Sequence, residues 1–148
     1  MIENILMVCE GNVCRSPMAA GLLANEMPHA SVSSVGINAL LGHSPEPWAV
    51  ELMNQRGISI ESHIATALNV NHVKSAQLVL TMSTSQRQWI EDIYPFSRGK
   101  VYRLGEHEGF DIADPYRRGR QAFEASLAQI ERGLQVWIRL MNSLAVTV

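Results

Sequence analysis

Residues 9–17 read Cys-Glu-Gly-Asn-Val-Cys-Arg-Ser-Pro, which crowds a nucleophile, permissive backbone and a fixed cation into nine positions. Cys9 is the candidate nucleophile. Gly11 can take backbone angles closed to other residues, and Asn12 tolerates left-handed geometry nearly as well. A loop that curls and then enters a helix aims several backbone N–H groups at one point, where the helix dipole adds positive potential. Arg15 can grip two oxygens of an anion with its planar fork, which lysine cannot do. A phosphoryl group, with about two negative charges and three outward oxygens, fits such a cup. With the intervening Glu10, Val13 and Cys14, the whole run reads as a phosphate-binding segment. A Cys9 sulfur pointing inward would be held as thiolate by the amides, the dipole and Arg15, and Ser16 could donate a hydrogen bond to it. Such a thiolate is poised to attack phosphorus. The segment lacks the Gly-Lys-Ser/Thr ending of a nucleotide loop, so neither nucleotide nor magnesium is expected, and no cofactor or metal.

Attack on phosphorus needs a leaving group, and a general acid near it helps by ~10²–10⁴-fold. Asp114 is the candidate, in Ile112-Ala113-Asp114-Pro115-Tyr116. Pro115 restrains the backbone that follows and disfavours helix at Asp114. Read alone, this is equally an Asp-Pro turn.

The elements that would position these groups are legible as periodic runs. Asn4–Val8 is a short apolar run, the mark of a buried strand. Ser16-Pro17 reads as an N-cap and a first helical proline, with the helix running through Met27 until Pro28 stops it. Ser31–Gly36 is a second strand, followed by a loop over 37–47. Trp48–Arg56 is a helix with Gly57 at its C-terminal cap. Val70–Ser75 is a short helix, Leu78–Met82 a third buried strand, Thr84–Ile93 a helix ended by Pro95, and Lys100–Leu104 a fourth strand. Residues 105–118 are rich in loop formers. The last helix runs from about Gly119 to Leu144. Phe123, Leu127, Ile130, Leu134, Trp137, Met141 and Leu144 fall on one face, at a spacing that suits a helix covering a sheet. Strands alternating with helices predict one α/β domain over residues 1–148. It holds a four-stranded parallel sheet flanked by helices on both faces, with the phosphate-binding loop after the first strand. Ligands of such folds bind at the carboxyl ends of the strands, where residues 9–17 lie.

Composition sets the outer bounds. A hydrophobic share of 47% against 18% charged residues is that of an ordinary globular chain. The net charge of −2 gives no support to nucleic-acid binding, although it leaves room for a local basic pocket. Two cysteines so close together cannot staple a fold, and no other Cys/His set completes a zinc site. The opening residues lack a basic leader, and no window approaches the ~18 apolar residues of a membrane span. A cytoplasmic protein without membrane insertion is the expectation.

The run Cys-x-Gly-Asn-x-Cys-Arg-Ser-Pro resembles the phosphate-binding loop of the low-molecular-weight protein tyrosine phosphatases, and the resemblance covers essentially the whole chain. It implies a cysteine-dependent, metal-independent phosphatase. Cys9 would form a phosphocysteine, Arg15 would hold the phosphoryl oxygens, and Asp114 would act as the acid. The resemblance assigns Asn12, Ser34 and His63 to a hydrogen-bond network behind the loop. Val35 departs mildly from the family's Ser-Ala-Gly pattern there. Leu40 and Tyr116 would form two walls of the cleft around a phenyl ring. Cys14 would be positioned to form a reversible disulfide with Cys9.

Three other activities share this fold or loop. A thioredoxin-coupled arsenate reductase needs a second redox cysteine pair, and there is no Cys after Cys14. A sugar-uptake phosphocarrier would keep its phosphocysteine, against which Arg15 and Asp114 argue. A protein-arginine phosphatase carries Thr where this chain has Val13. The Asp-Pro-Tyr-Arg-Arg run (114–118) is similar to that of bacterial members acting on tyrosine-phosphorylated proteins, in particular membrane-anchored tyrosine autokinases that govern capsule or exopolysaccharide export. Arg117 and Arg118 would put positive charge beside the cleft.

Overall fold

The computed structural model describes residues 1–146 of the 148, so the last two residues of the expected domain lie outside the described residues. Four strands form one parallel sheet in the order β2-β1-β3-β4: β1 Asn4–Cys9, β2 Ser31–Gly36, β3 Leu78–Thr81 and β4 Val101–Arg103. The helices are α1 Arg15–Glu26, α2 Pro47–Gln55, α3 Val70–Ser75, α4 Thr84–Ile93 and α5 Arg120–Val146. A single 3₁₀ turn, Pro95–Ser97, follows α4 and has no counterpart in the sequence reading.

β1 is buried from Ile5 to Cys9 because it is central and covered on both sides. Ile5, Met7 and Cys9 point into a core shared with Met18 and Leu23 of α1, Met53 of α2 and Leu127 and Ile130 of α5. Leu6 and Val8 point the other way, onto Val35, Val79, Val101 and Ile90 of α4. The period of two along β1 thus divides its side chains between two helical layers. Each fully buried Leu, Ile or Met in those layers contributes about 1.5–3 kcal/mol.

On α5 the apolar face from Phe123 to Met141 is buried, but Leu144 is 59% exposed, because the helix runs on past the core. Gly133 lets α5 lie against the β4 exit: a Cβ there would stand 2.8 Å from the Leu104 carbonyl oxygen. Trp137 Nε1 donates to that same oxygen at 2.9 Å.

Strand and helix ends shift by a residue or so from the sequence pattern. β3 stops at Thr81 because the Met82 N–H turns to the Gln86 side chain at 2.9 Å. β4 starts at Val101 because the Lys100 N–H bonds back to Ser97. α2 begins at Pro47, taking the last residue of the expected loop as its first turn. Gly57 does end that helix, at φ +73, with its N–H on Asn54 and the Ile58 N–H on Met53.

The chain passes from β1 to β2 on one side and reaches β3 on the other. The point where strand order reverses therefore lies at the carboxyl end of β1, beside Cys9.

Candidate active site

Cys9 is the last residue of β1 and Arg15 the first of α1, so residues 10–14 must close the gap in five residues. Asn12 makes the tightest bend, at φ +60. Its fully buried side chain holds that bend by three hydrogen bonds. Nδ2 donates to Ser16 Oγ at 2.8 Å and to Ser34 Oγ at 3.0 Å, and Oδ1 accepts from the Thr66 N–H at 2.9 Å. His63 Nε2 lies 3.0 Å from the Asn12 carbonyl. A carbonyl only accepts, so His63 is the Nε2–H tautomer in this contact. Burial lowers the His63 pKa from its ordinary value and so favours the neutral ring, an effect this hydrogen bond partly opposes.

The bend turns one N–H and one hydroxyl toward the Cys9 sulfur. The Asn12 N–H donates to Sγ at 3.2 Å, and Ser16 Oγ stands 2.8 Å from it. Ser16 is therefore not the N-cap that its place before Pro17 suggests. Cys14 occupies the cap position and caps nothing with its side chain, while the Ser16 hydroxyl is taken by Cys9 and Asn12. Asn12 and Ser16 are fully buried behind the loop and do not line the cleft. Their side chains brace it, and Asn12 contributes its backbone N–H.

In front of the sulfur is a cavity of about 140 Å³ lined by Cys9, Gly11, Val13, Arg15, Asp114 and Tyr116, among others. Glu10, Cys14 and Leu40 also line it, together with Asn38, for which the sequence holds no local signal. Asn38 Nδ2 donates to Glu10 Oε1. Arg15 is buried, and Nη1 donates to the Ile112 carbonyl at 2.9 Å, which aims the guanidinium from behind. Nη2 lies 3.7 Å from Asp114 Oδ2. The Asp114 side chain is half exposed, and its Oδ1 accepts the Tyr116 N–H at 3.1 Å in an Asx turn. Burial, with Cys9 next in effect, pushes the Cys14 thiol up, so Cys14 stays protonated beside the cup.

Gly36 is a second residue that sequence reading passes over. A Cβ there would stand 2.7 Å from the Glu10 carbonyl oxygen and 3.0 Å from Asn12 Cβ. Only glycine lets the loop lie so close against the end of β2. A larger cavity, about 570 Å³ between α1 and α5, is lined by Leu22, Glu26, Leu134 and Ile138 among others and offers no nucleophile. Among the described residues no group of three or more His, Cys, Asp or Glu is arranged to hold a metal.

The arrangement can bind a small tetrahedral anion, present a sulfur to it and offer a carboxyl group on the far side. Comparison with known proteins agrees with that chemistry. The model for "Low molecular weight phosphotyrosine protein phosphatase" matches residues 4–146. The chain is 48% identical over 144 residues to a probable low molecular weight protein-tyrosine-phosphatase EpsP of Ralstonia nicotianae, covering 97% of this chain and 99% of that one. The crystal structure of the tyrosine phosphatase Wzb from Escherichia coli K30 in complex with sulphate superposes with a TM-score of 0.90 at 30% identity, over 95% of this chain and 99% of that one. An arginine phosphatase, YwlE from Geobacillus stearothermophilus, also reaches 0.90, at 29% identity over 97% and 95% of the two chains.

Proposed function

The chain belongs to the low molecular weight phosphotyrosine protein phosphatases, a family of hydrolases, and from that premise we propose that it cleaves phosphotyrosine through a phosphocysteine on Cys9. The observation that carries this reading is the Cys9 sulfur, with the Asn12 N–H and the Ser16 hydroxyl held against it, in a pocket that also holds Arg15 and Asp114.

In the first step the Cys9 thiolate attacks phosphorus in line, forming the S–P bond as the P–O bond to the tyrosine ring breaks. Asp114, protonated, gives its proton to the departing phenolic oxygen. Arg15 and the loop amides hold the equatorial oxygens throughout. In the second step Asp114, now a carboxylate, takes a proton from a water that attacks phosphorus. The S–P bond breaks, Cys9 returns to thiolate and inorganic phosphate leaves. Leu40 and Tyr116 flank the ring. Asn12, Ser34 and His63 act by keeping the loop in its bent form.

The chain is proposed to work in the cytoplasm, on tyrosine-phosphorylated proteins such as a membrane-anchored autokinase that controls exopolysaccharide or capsule production. Two features support that setting: both cysteines are free, and no helix among the described residues is long and apolar enough to cross a membrane. The likeness to YwlE keeps arginine phosphate as a second substrate to measure. Val13 lines the pocket here, where arginine phosphatases carry Thr, and an apolar side chain favours an aromatic leaving group.

The test is release of phenol from an aryl phosphate with EDTA and reductant present, beside phosphoarginine, for wild type, Cys9→Ser and Asp114→Asn. Expected are turnover of the aryl ester, none with Cys9→Ser, and a loss of ~10²–10⁴-fold with Asp114→Asn. Faster turnover of phosphoarginine would move the chain to the second substrate. A stable phosphocysteine without turnover would make it a phosphocarrier.

A further inference from the structure

Among the described residues, the charged side chains lining the pocket are Glu10, Arg15 and Asp114, and the proposed hydrolysis uses only the last two. Glu10 is exposed, yet it is held in place. The Asn38 N–H donates to the Glu10 carbonyl at 2.9 Å, and Asn38 Nδ2 donates to Glu10 Oε1. The Leu40 N–H bonds the next carbonyl, that of Gly11, at 3.0 Å, so backbone and side chain are gripped together. A neutral amide fixes the carboxylate without cancelling its charge. Among the described residues Glu10 forms no ion pair.

A fixed carboxylate at the mouth of an anion pocket opposes a phosphate ligand unless that ligand also brings a cation. The Tyr116 wall bears both signs: the Arg117 guanidinium lies 5.1 Å from the centre of the Tyr116 ring, and Asp114 Oδ1 accepts the Tyr116 N–H, so only the Glu10 wall is purely acidic.

We propose that Glu10 is a specificity-determining residue that selects phosphotyrosines with Lys or Arg within two residues, on the flank facing the Asn38–Leu40 loop, and disfavours Asp or Glu there. The inference rests on the phosphotyrosine reading above. Glu10 touches the substrate's neighbouring side chain, not the reacting atoms. An exposed charge pair is worth up to about fivefold in binding, and salt screens it. Pinning by Asn38 puts Glu10 toward the upper end, because less side-chain freedom remains to be lost.

The experiment compares kcat/KM for phosphotyrosine peptides that differ only in carrying Arg, Ala or Glu at one position, one or two residues to either side. Wild type, Glu10→Gln and Glu10→Lys are each measured at low salt and at about 0.5 M NaCl. Expected is a preference of up to about fivefold for Arg over Ala on one flank in wild type, with Glu below Ala, falling toward unity in Glu10→Gln, reversing in Glu10→Lys and shrinking in salt. Ratios are taken within each enzyme, so a partly folded variant remains informative. Peptides hydrolysed without charge preference, or a preference unchanged in both variants, would overturn this role while leaving the phosphatase reading intact. No hydrolysis of any peptide by wild type would overturn both.

Discussion

Asn12 is where the loop is most exposed to a single change. Asn12→Ala removes the two donations to Ser16 and Ser34 and the acceptor for Thr66, three hydrogen bonds in all. Each is worth about 1 kcal/mol net when its partners are left without a substitute, so roughly 3 kcal/mol is lost. Alanine keeps at φ +60 the Cβ that asparagine already carries there, so its crowding of the following carbonyl adds nothing new. The expected total is about 3 kcal/mol. Asn12→Gly makes the same three losses without the backbone strain, so it should stand about 1 kcal/mol above alanine. Asn12→Asp keeps the acceptor, forfeits both donations, roughly 2 kcal/mol, and buries a carboxylate behind the Cys9 sulfur, which costs several kcal/mol more in desolvation. Urea unfolding with an unchanged m-value reads the stabilities, and turnover of an aryl phosphate reads the loop. Asp should be the least stable of the three and impaired in turnover, since its buried charge is unpaired and opposes the thiolate. A loss below about 1 kcal/mol for alanine, or a glycine variant no more stable than alanine, would refute the claim that this side chain and this bend hold the cup together.

Two further outcomes follow from the same framework. Gly36→Ala should lower kcat/KM far more than it lowers thermal stability, since its Cβ presses on the Glu10 carbonyl and Asn12 rather than on the core. Wild-type kinetics in Gly36→Ala would mean that the loop can move aside freely. For His63, the folded protein binds a proton less readily than the unfolded chain, whose histidine titrates near ~6.5. Its contribution is therefore fully present above that pH and is lost as pH falls below it toward the depressed folded value. The stability gap between wild type and His63→Gln should narrow over that window in urea titrations, and a gap independent of pH would show that the ring's charge state does not matter.

The local chemistry of residues 9–17 is legible because one loop must supply nucleophile, bend and cation within a few positions. The alternation of strand and helix likewise leaves little choice of fold. What stays hidden is whatever depends on residues meeting across the chain. Ser16 offers two local readings, a cap before Pro17 and a partner for the Cys9 sulfur, and the second holds because Asn12 and Cys9 both take its hydroxyl. Asn38 sits 28 residues from Glu10, in a loop without periodicity, and only the fold brings them together. Gly36 looks like an ordinary strand end until the loop is laid against it. Leu144 continues the apolar spacing of α5 after the core beneath it has ended.

The bonds that shape the cup come from β2, from the stretch around His63 and Thr66, and from Ile112, none of them near residues 9–16 in sequence. A nascent or partly unfolded chain lacks these partners. The bent loop is thus held in shape only once these long-range contacts have closed. Its reactivity arrives with the finished tertiary structure, and in an immature chain the Asn12 N–H and the Ser16 hydroxyl are not yet held against the Cys9 sulfur. The appearance of turnover during refolding would then report the final long-range closures rather than the early collapse of the β1 core.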